Sequence, residues 1–173
     1  MKLSLYEASV PGYLQALTAV SGFLDKGLAH CRENGIDAEA MVETRLYPDM
    51  LPLRFQIQSV VHHSLGTIEA MESGFFRAPG ELPQLDYAGL QALVVQTREA
   101  LHEFRPEAIN AREGAEIIFE FRKNRLPFTA EGFLLSFSLP NFYFHATTAY
   151  DILRSKGVPL GKRDYLGALR MKT

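Results

Sequence analysis

Apolar residues at helical spacing restrict the fold of this chain more than any other feature. In the first segment the apolar positions recur at steps of three, four and seven residues: Val10, Leu14, Leu17, Leu24, Leu28 and Cys31. Such steps place side chains on one face of a helix and are typical of the seam between bundle helices. Ser9 is the expected N-cap of this first helix, and Asn34-Gly35 is its expected end.

Three further segments carry the same pattern. Asp49 is the expected N-cap of the second long helix, with Pro52 tolerated in its first turn, and Asp86 is the expected N-cap of the third. The fourth helix is expected over residues 139–154. A chain of 173 residues is long enough for one domain with a full core, so the pattern predicts an all-α four-helix bundle. The residues expected to share its core are Leu17, Leu24, Phe55, Leu65, Leu93, Leu101, Phe142 and Leu153.

One stretch departs from helical spacing. Ile117, Phe119 and Phe121 alternate with their neighbours at a period of two, and Lys123-Asn124 follows as a turn. This alternation predicts a short two-stranded hairpin before the last helix. The expected loops are 74–85 and 157–167, and 38–46 is an expected short helix.

Composition and charge exclude several classes of protein. The formal net charge of −2 gives no electrostatic argument for binding nucleic acid or an anionic membrane. No apolar run reaches the length of a membrane span, and the first residues lack the apolar core of a signal peptide. The single cysteine, Cys31, excludes an internal disulfide and a cysteine-based zinc cluster. We therefore expect a cytoplasmic protein that binds neither nucleic acid nor membrane.

The candidate site lies on the fourth helix. Asn141 and His145 are four residues apart on its apolar face, so their side chains can converge on one point. His62 lies at the edge of the apolar arc of the second helix, whereas His63 points about 100° away. We therefore expect His62 to be the histidine that joins them. His145 can act as a catalytic acid or base near neutral pH.

Two interpretations of this cluster remain open. In the first, His62 and His145 bind a divalent metal such as zinc or nickel. In the second, His145 is a buried histidine hydrogen-bonded to Asn141 or to a tyrosine, and no cofactor is involved. Zinc and nickel sites usually have three protein ligands, and a neutral amide is a poor ligand for these ions. The amide of Asn141 therefore favours the second interpretation.

Four other residues are candidates for lining a small-molecule pocket. Arg45 and Asp49 flank a Leu-Tyr-Pro segment and could hold a polar substrate at a pocket mouth. They could equally brace a loop as a cap or an ion pair. Tyr143 and Tyr150 could wall a pocket, although aromatic side chains at helical spacing are more often part of a core.

Three motifs resemble a bacterial protein family. They are Arg45-Leu-Tyr-Pro-Asp-Met-Leu-Pro-Leu53, the segment 139–154, and Gly157-Val-Pro-Leu-Gly-Lys-Arg-Asp-Tyr-Leu-Gly167. The family they resemble has unknown function and belongs to the DinB/YfiT-like superfamily of proposed metalloenzymes. The resemblance covers nearly the whole chain and implies a DinB-like four-helix bundle, commonly a homodimer. Some members of that superfamily are metal-dependent thiol transferases, isomerases or hydrolases.

The resemblance also implies a site. The metal motif of the superfamily takes one histidine from the second helix and two histidines, four residues apart, from the fourth. In this chain the fourth-helix pair corresponds to Asn141 and His145, so asparagine replaces the first histidine. The second-helix histidine falls near His62.

Two functions are consistent with these observations. The first is an enzyme or former enzyme with a small-molecule or degenerate metal site in the bundle core around His145. The alternative is a non-catalytic small-molecule-binding or dimeric structural module, in which the Asn141/His145 pair only orders the fourth helix. A pocket open to solvent beside His145 favours the first function, and a closed, hydrogen-bonded environment favours the second.

Overall fold

Helices form most of the secondary structure in the computed structural model, which describes residues 3–172. Within that range, four long helices are connected by short helices, a π-helix and three strands. The bounds in chain order are α1 Leu5–Asn34, α2 Ala38–Val42, α3 Leu53–Ser73, β1 Phe75–Arg77, α4 Tyr87–His102, α5 Pro106–Asn110, β2 Glu116–Phe121, β3 Asn124–Thr129, α6 Ala130–Phe133, the π-helix Leu134–Ser138, α7 Leu139–Ser155 and α8 Lys162–Leu166.

The four long helices enclose the core. α3 packs against α7 and α4, and α1 packs against α4 and α7. Of the expected core residues, Phe55, Leu65 and Leu93 are only half-buried. The others are fully buried: Leu17, Leu24, Leu101, Phe142 and Leu153. The mostly helical architecture is therefore confirmed, although a plain four-helix bundle describes it only approximately. No helix in the described part of the chain is long and apolar enough to cross a membrane.

Two long helices begin at residues other than the expected N-caps. α1 begins more than one turn earlier, where the Ser4 hydroxyl accepts a hydrogen bond from the Glu7 amide at 3.2 Å. Ser9 lies inside the helix and donates to a backbone carbonyl of the preceding turn. α3 begins after Pro52, and Asp49 lies in the turn before it. Helical geometry is disfavoured for the residue before a proline, so α3 cannot readily extend back past Pro52.

The sheet contains one strand more than expected. β2 and β3 form the expected antiparallel hairpin, in which Glu116 lies opposite Thr129. β1 lies in the expected loop 74–85 and pairs parallel with β2, with Phe75 opposite Ile118. A strand of three residues is too short to show a period of two in the sequence. The expected loop 157–167 likewise contains the five-residue helix α8, and the expected helix 38–46 ends early, as α2.

A network of buried hydroxyls fixes the start of α7. Ser138, the last residue of the π-helix, has its Oγ 2.8 Å from the Tyr13 Oη and 2.6 Å from the Thr67 Oγ1. The same hydroxyl lies 2.8 Å from the carbonyl oxygen of His63. All three hydroxyl-bearing side chains are buried. Because α7 starts at the next residue, this network sets the position of α7 against α3, where the candidate site lies.

Candidate functional site: a pair of histidines between α3 and α7

Two imidazoles lie side by side where α3 meets α7. The ring centroids of His63 and His145 are 5.8 Å apart, and the ring planes differ by 13°. His63 is 8% exposed, and His145 is half-buried. The expectation that His62 faces inward and His63 faces outward is therefore wrong.

Polar residues on the buried face of α3 explain this difference. Gln56, His63 and Thr67 are all buried and follow one another at steps of seven and four residues, which places them on one side of the helix. Phe55 and Leu65, the residues expected to define the buried face of this helix, lie on a different side of it and are only half-buried. The helical spacing of the polar residues is the sequence signal that could have located Gln56 and His63.

A hydrogen bond from α3 fixes the tautomer of His145. Nδ1 of His145 lies 2.7 Å from Oε1 of Gln56. The Gln56 amide is oriented by its own nitrogen, which donates to the carbonyl of Leu51 at 2.8 Å. Its oxygen can only accept, so the proton of His145 lies on Nδ1 and the lone pair on Nε2. Nε2 has no hydrogen-bond partner among residues 3–172 and is free to accept a hydrogen bond.

Both rings are neutral near pH 7. Burial lowers the pKa of His145 to about 4. Burial, and then the proximity of His62 and His145, lowers the pKa of His63 to about 3. Both directions follow from the cost of placing a cation in an apolar environment.

Aromatic side chains hold His63 in place and leave one of its nitrogens without a partner. The rings of Phe76 and Phe137 each lie 5.6 Å from the His63 ring, between centroids. Nδ1 of His63 is buried, and no hydrogen-bond partner for it occurs in the described part of the chain. Such a group costs free energy and is unusual in a folded protein.

Asn141 does not pair with His145. The Asn141 amide donates to the carbonyl of Phe137 at 2.7 Å, within the turn that links the π-helix to α7. The expected Asn141–His145 hydrogen bond is therefore wrong. His145 is hydrogen-bonded, as expected, but across the helix interface to Gln56.

The donor set does not fit a three-ligand zinc or nickel site. His62, the expected second-helix ligand, packs on the Phe76 ring at 4.5 Å, and its Nε2 is buried. Asn141 is engaged with its own helix, and Nδ1 of His145 is engaged with Gln56. Among residues 3–172, no group of three His, Cys, Asp or Glu side chains is placed to hold a metal ion. His63 and His145 remain as two imidazoles without a third protein ligand.

The candidate pair Arg45 and Asp49 lies outside this site. Arg45 donates to the carbonyl of Met50 at 2.6 Å, so it braces the loop before α3. It also borders a surface cavity of about 320 Å³ with Arg54 and Phe55. Asp49 is exposed and is not part of that lining. The structure therefore supports the bracing role for Arg45 and does not bring the two residues together in a pocket.

The candidate tyrosines of α7 also point elsewhere. Tyr143 is 42% exposed and borders a small cavity with Gly12 and Tyr165. The Tyr150 ring lies 6.3 Å from Phe23 and 5.8 Å from Tyr165, between centroids. Tyr150 thus faces α1 and α8, and Tyr143 borders both this cavity and a surface groove with Leu46 and Phe144.

Comparison with known proteins agrees with this fold. The crystal structure of a DinB family member protein from Shewanella denitrificans is similar to the chain, with a TM-score of 0.83 and 27% identity over 98% of this chain and 95% of that one. The chain therefore has a DinB-like fold. No curated protein matches it. The model for a domain of unknown function, DUF1993, matches residues 5–166, so the chain belongs to the DUF1993 family.

Proposed function

We propose that this DinB-like protein binds a small molecule at the His63–His145 pair and that Nε2 of His145 accepts a hydrogen bond or a proton from it. The Gln56–His145 hydrogen bond carries this proposal. A buried glutamine that is itself held by the Leu51 carbonyl fixes one nitrogen of His145. The other nitrogen is thereby presented as a lone pair in one orientation, as binding and catalytic sites require.

The low pKa of His145 restricts the chemistry. An imidazole with a pKa of about 4 is unprotonated at neutral pH but is a weak base. Efficient general bases have pKa values near the working pH, so this ring is better suited to accept a hydrogen bond than to remove a weakly acidic proton. We therefore propose that the main role of this site is to bind a ligand and not to transfer a proton.

The surroundings favour a ligand with an apolar or planar part. The rings of Phe55 and Phe144 lie 5.8 Å and 5.2 Å from the His145 ring, between centroids, and both pack edge-on against it. Phe144 is 57% exposed, so an aromatic surface continues from the imidazole to solvent. Aromatic walls around one or two fixed polar groups are typical of small-molecule sites.

Chemical modification tests whether His145 offers a neutral nitrogen. Diethylpyrocarbonate acylates unprotonated imidazoles, and a ring with the ordinary pKa of about 6.5 is mostly protonated at pH 5. We expect peptide mass spectrometry to find His145 modified at pH 5, with the exposed His102 as the comparison residue. If His145 remains unmodified at pH 5, the proposal is contradicted.

A binding assay completes this test. Small alcohols, amides and thiols are added at millimolar concentration, and the ring protons of His63 and His145 are followed by NMR. We expect at least one class to shift both rings, and His145→Ala to abolish its binding. If no class shifts either ring, the pair has a structural role only.

That structural role is the second candidate function, and one observation favours it. The Asn141 amide donates a hydrogen bond to the Phe137 carbonyl. Of the pair Asn141 and His145, Asn141 therefore bonds within its own helical segment. A non-catalytic module in which Gln56 and His145 only join α3 to α7 would lose stability on replacement of His145 and would bind no ligand.

We also propose that the protein is a homodimer in the cytoplasm. Leu46, Tyr143 and Phe144 are 40%, 42% and 57% exposed, and they line one surface groove with Met50. Contiguous exposed apolar residues often mark an interface, and a second copy of the chain is the partner that the groove is proposed to bind. A cytoplasmic location suits the buried free thiol of Cys31.

A further inference from the structure

A further cavity lies between α3 and α4, and the proposed function does not use it. Its volume is about 240 Å³. Apolar side chains form most of the lining: Val61, Leu65, Leu82, Pro83 and Leu93. A cavity of about 150 Å³ can hold benzene, so this one has room for a bicyclic aromatic molecule.

A fixed segment forms one wall of this open cavity. The Gln58 amide, which is 5% exposed, donates to the carbonyl of Pro83 at 2.8 Å. This bond ties the connection between β1 and α4 to α3. Leu65 and Leu93 have the spacing of core residues, yet they are half-buried here because they face the cavity.

His62 supplies a polar group at this apolar surface. Its Nε2 is buried without a hydrogen-bond partner in the described residues. Its Nδ1 lies on the side of Gly66, only 3.4 Å from the position that a Cβ of residue 66 would occupy. Both residues line the cavity, so Nδ1 is the ring nitrogen that a ligand can approach.

The surroundings of the ring indicate which nitrogen carries the proton. Burial lowers the pKa of His62, and the nearby backbone of Arg77 opposes this effect without forming a hydrogen bond to Nε2. A backbone group that raises the pKa of an imidazole in this way is a carbonyl oxygen that faces its N–H. Since Nδ1 lies beside Gly66, we assign the proton to Nε2 and the lone pair to Nδ1.

Gly66 keeps this nitrogen accessible. Glycine in the interior of a helix costs about 1 kcal/mol relative to alanine. At this position an alanine methyl group would lie 3.4 Å from Nδ1 of His62 and 3.7 Å from the Phe76 ring. These are ordinary contacts, so the fold would accept alanine, but the methyl group would cover the nitrogen. The less stable glycine therefore exposes His62 to the cavity.

From this geometry we propose that the cavity between α3 and α4 binds an uncharged aromatic molecule whose N–H or O–H group donates a hydrogen bond to Nδ1 of His62. The apolar lining accommodates the ring, and the lone pair orients the donor. Glu69 at the cavity wall disfavours an anionic ligand.

Indole and benzofuran are matched probes for this site, because they have nearly the same shape and only indole carries an N–H donor. Binding is followed through the methyl NMR signals of Leu65 and Leu93. We expect both probes to shift these signals and indole to bind about fivefold more tightly, as one neutral hydrogen bond would produce. His62→Phe should remove the difference between the probes.

Gly66→Ala is the decisive variant, because a helix-favouring substitution should leave the fold intact or more stable. We expect it to weaken indole binding at least to the level of benzofuran. Gly22→Ala, in α1, is the matched control, since a Cβ there meets no atom within 4 Å; indole binding should be unchanged.

Three results would overturn the proposal: no shift of the Leu65 and Leu93 signals at millimolar indole, equal binding of the two probes, or full binding by Gly66→Ala. His145→Ala separates this cavity from the His63–His145 pair. If indole binding persists in that variant, the two sites are independent; if it disappears, indole binds at the pair and the cavity proposal fails.

Discussion

Oε1 of Gln56 and Nδ1 of His145 lie 2.7 Å apart and connect α3 to α7 through one hydrogen bond. The bond orients an imidazole on a helix whose start is fixed separately by the Ser138 hydroxyl network. Two sets of hydrogen bonds therefore position α7 against α3: the hydroxyl groups at the start of α7, and the Gln56 amide within the site. A histidine held in this way keeps one tautomer, which a histidine on a free helix surface does not.

Replacing Gln56 tests this relationship. Gln56→Leu removes the acceptor for the His145 N–H and leaves the Leu51 carbonyl without its donor. We expect a loss of about 1–3 kcal/mol in the free energy of unfolding, which is the cost of unpaired buried polar groups. Nitrogen-15 NMR should show His145 changing from a single Nδ1–H tautomer to a mixture. Gln96→Leu, on the exposed face of α4, is the control, and a single tautomer in Gln56→Leu would show that another group orients the ring.

The two neutral histidines make stability depend on pH. Their folded-state pKa values lie below the ordinary value of about 6.5, so in acid the unfolded chain binds more protons than the folded one. Their contribution is complete above about pH 6.5. It is lost as the pH falls toward the folded pKa values, about 4 for His145 and about 3 for His63.

Urea unfolding between pH 7 and pH 4.5 measures this effect. We expect the parent to lose stability across this window, with each histidine contributing at most about 1.4 kcal/mol per pH unit. His145→Gln should show a shallower dependence than the parent, because it removes one of the histidines whose pKa is lowered on folding. Parallel curves for parent and variant would mean that His145 has the same pKa in the folded and unfolded states.

Replacing Leu90 of α4 with alanine should reduce the free energy of unfolding more than replacing Leu93. Leu90 is fully buried, whereas Leu93, which the spacing places in the core, faces the cavity between α3 and α4. Leu90→Ala should therefore cost about 2–5 kcal/mol, and Leu93→Ala clearly less. Chemical denaturation of both variants measures the difference, and equal costs would show that Leu93 is packed as tightly as Leu90.

Leu93 also shows what spacing in a sequence can and cannot predict. Periodicity located the four long helices and the hairpin, because each apolar face must be buried somewhere. It did not locate the rotation of α3, because the buried face carries Gln56, His63 and Thr67, whose burial depends on hydrogen bonds and ring contacts made by distant segments. The partner of His145 was missed for the same reason, since Gln56 is 89 residues away in the chain.

Phe144 should be important for self-association. It is the most exposed apolar residue of the groove that also contains Leu46 and Tyr143. Light scattering at micromolar concentration should give about twice the chain mass of 19.4 kDa for the parent. Phe144→Glu should be a monomer, because it places a charge in an apolar interface. Leu169→Glu, at an exposed position after α8, is the control, and a monomeric parent would refute the dimer.

The last prediction concerns the metal motif that this chain lacks. Asn141 lies one helical turn before His145, and the His63 ring is 5.8 Å from that of His145. Asn141→His would provide a third imidazole, which is the number of ligands that a zinc site usually takes from the protein. We expect this variant to bind zinc or nickel measurably by calorimetry in untagged protein, and the parent to bind far more weakly.

Second substitutions in the Asn141→His background identify the α3 ligand. Adding His63→Ala should abolish the acquired affinity, since it removes the imidazole that faces His145. Adding His62→Ala should leave the affinity unchanged, because the His62 ring packs on Phe76 and on His63 and lies toward Gly66, whereas His63 is the α3 imidazole that contacts His145. The opposite pattern would restore His62 as the second-helix ligand and would require α3 to rotate. Tight binding by the parent would instead show that two neutral imidazoles with solvent ligands are enough, and that the asparagine at position 141 does not prevent metal binding.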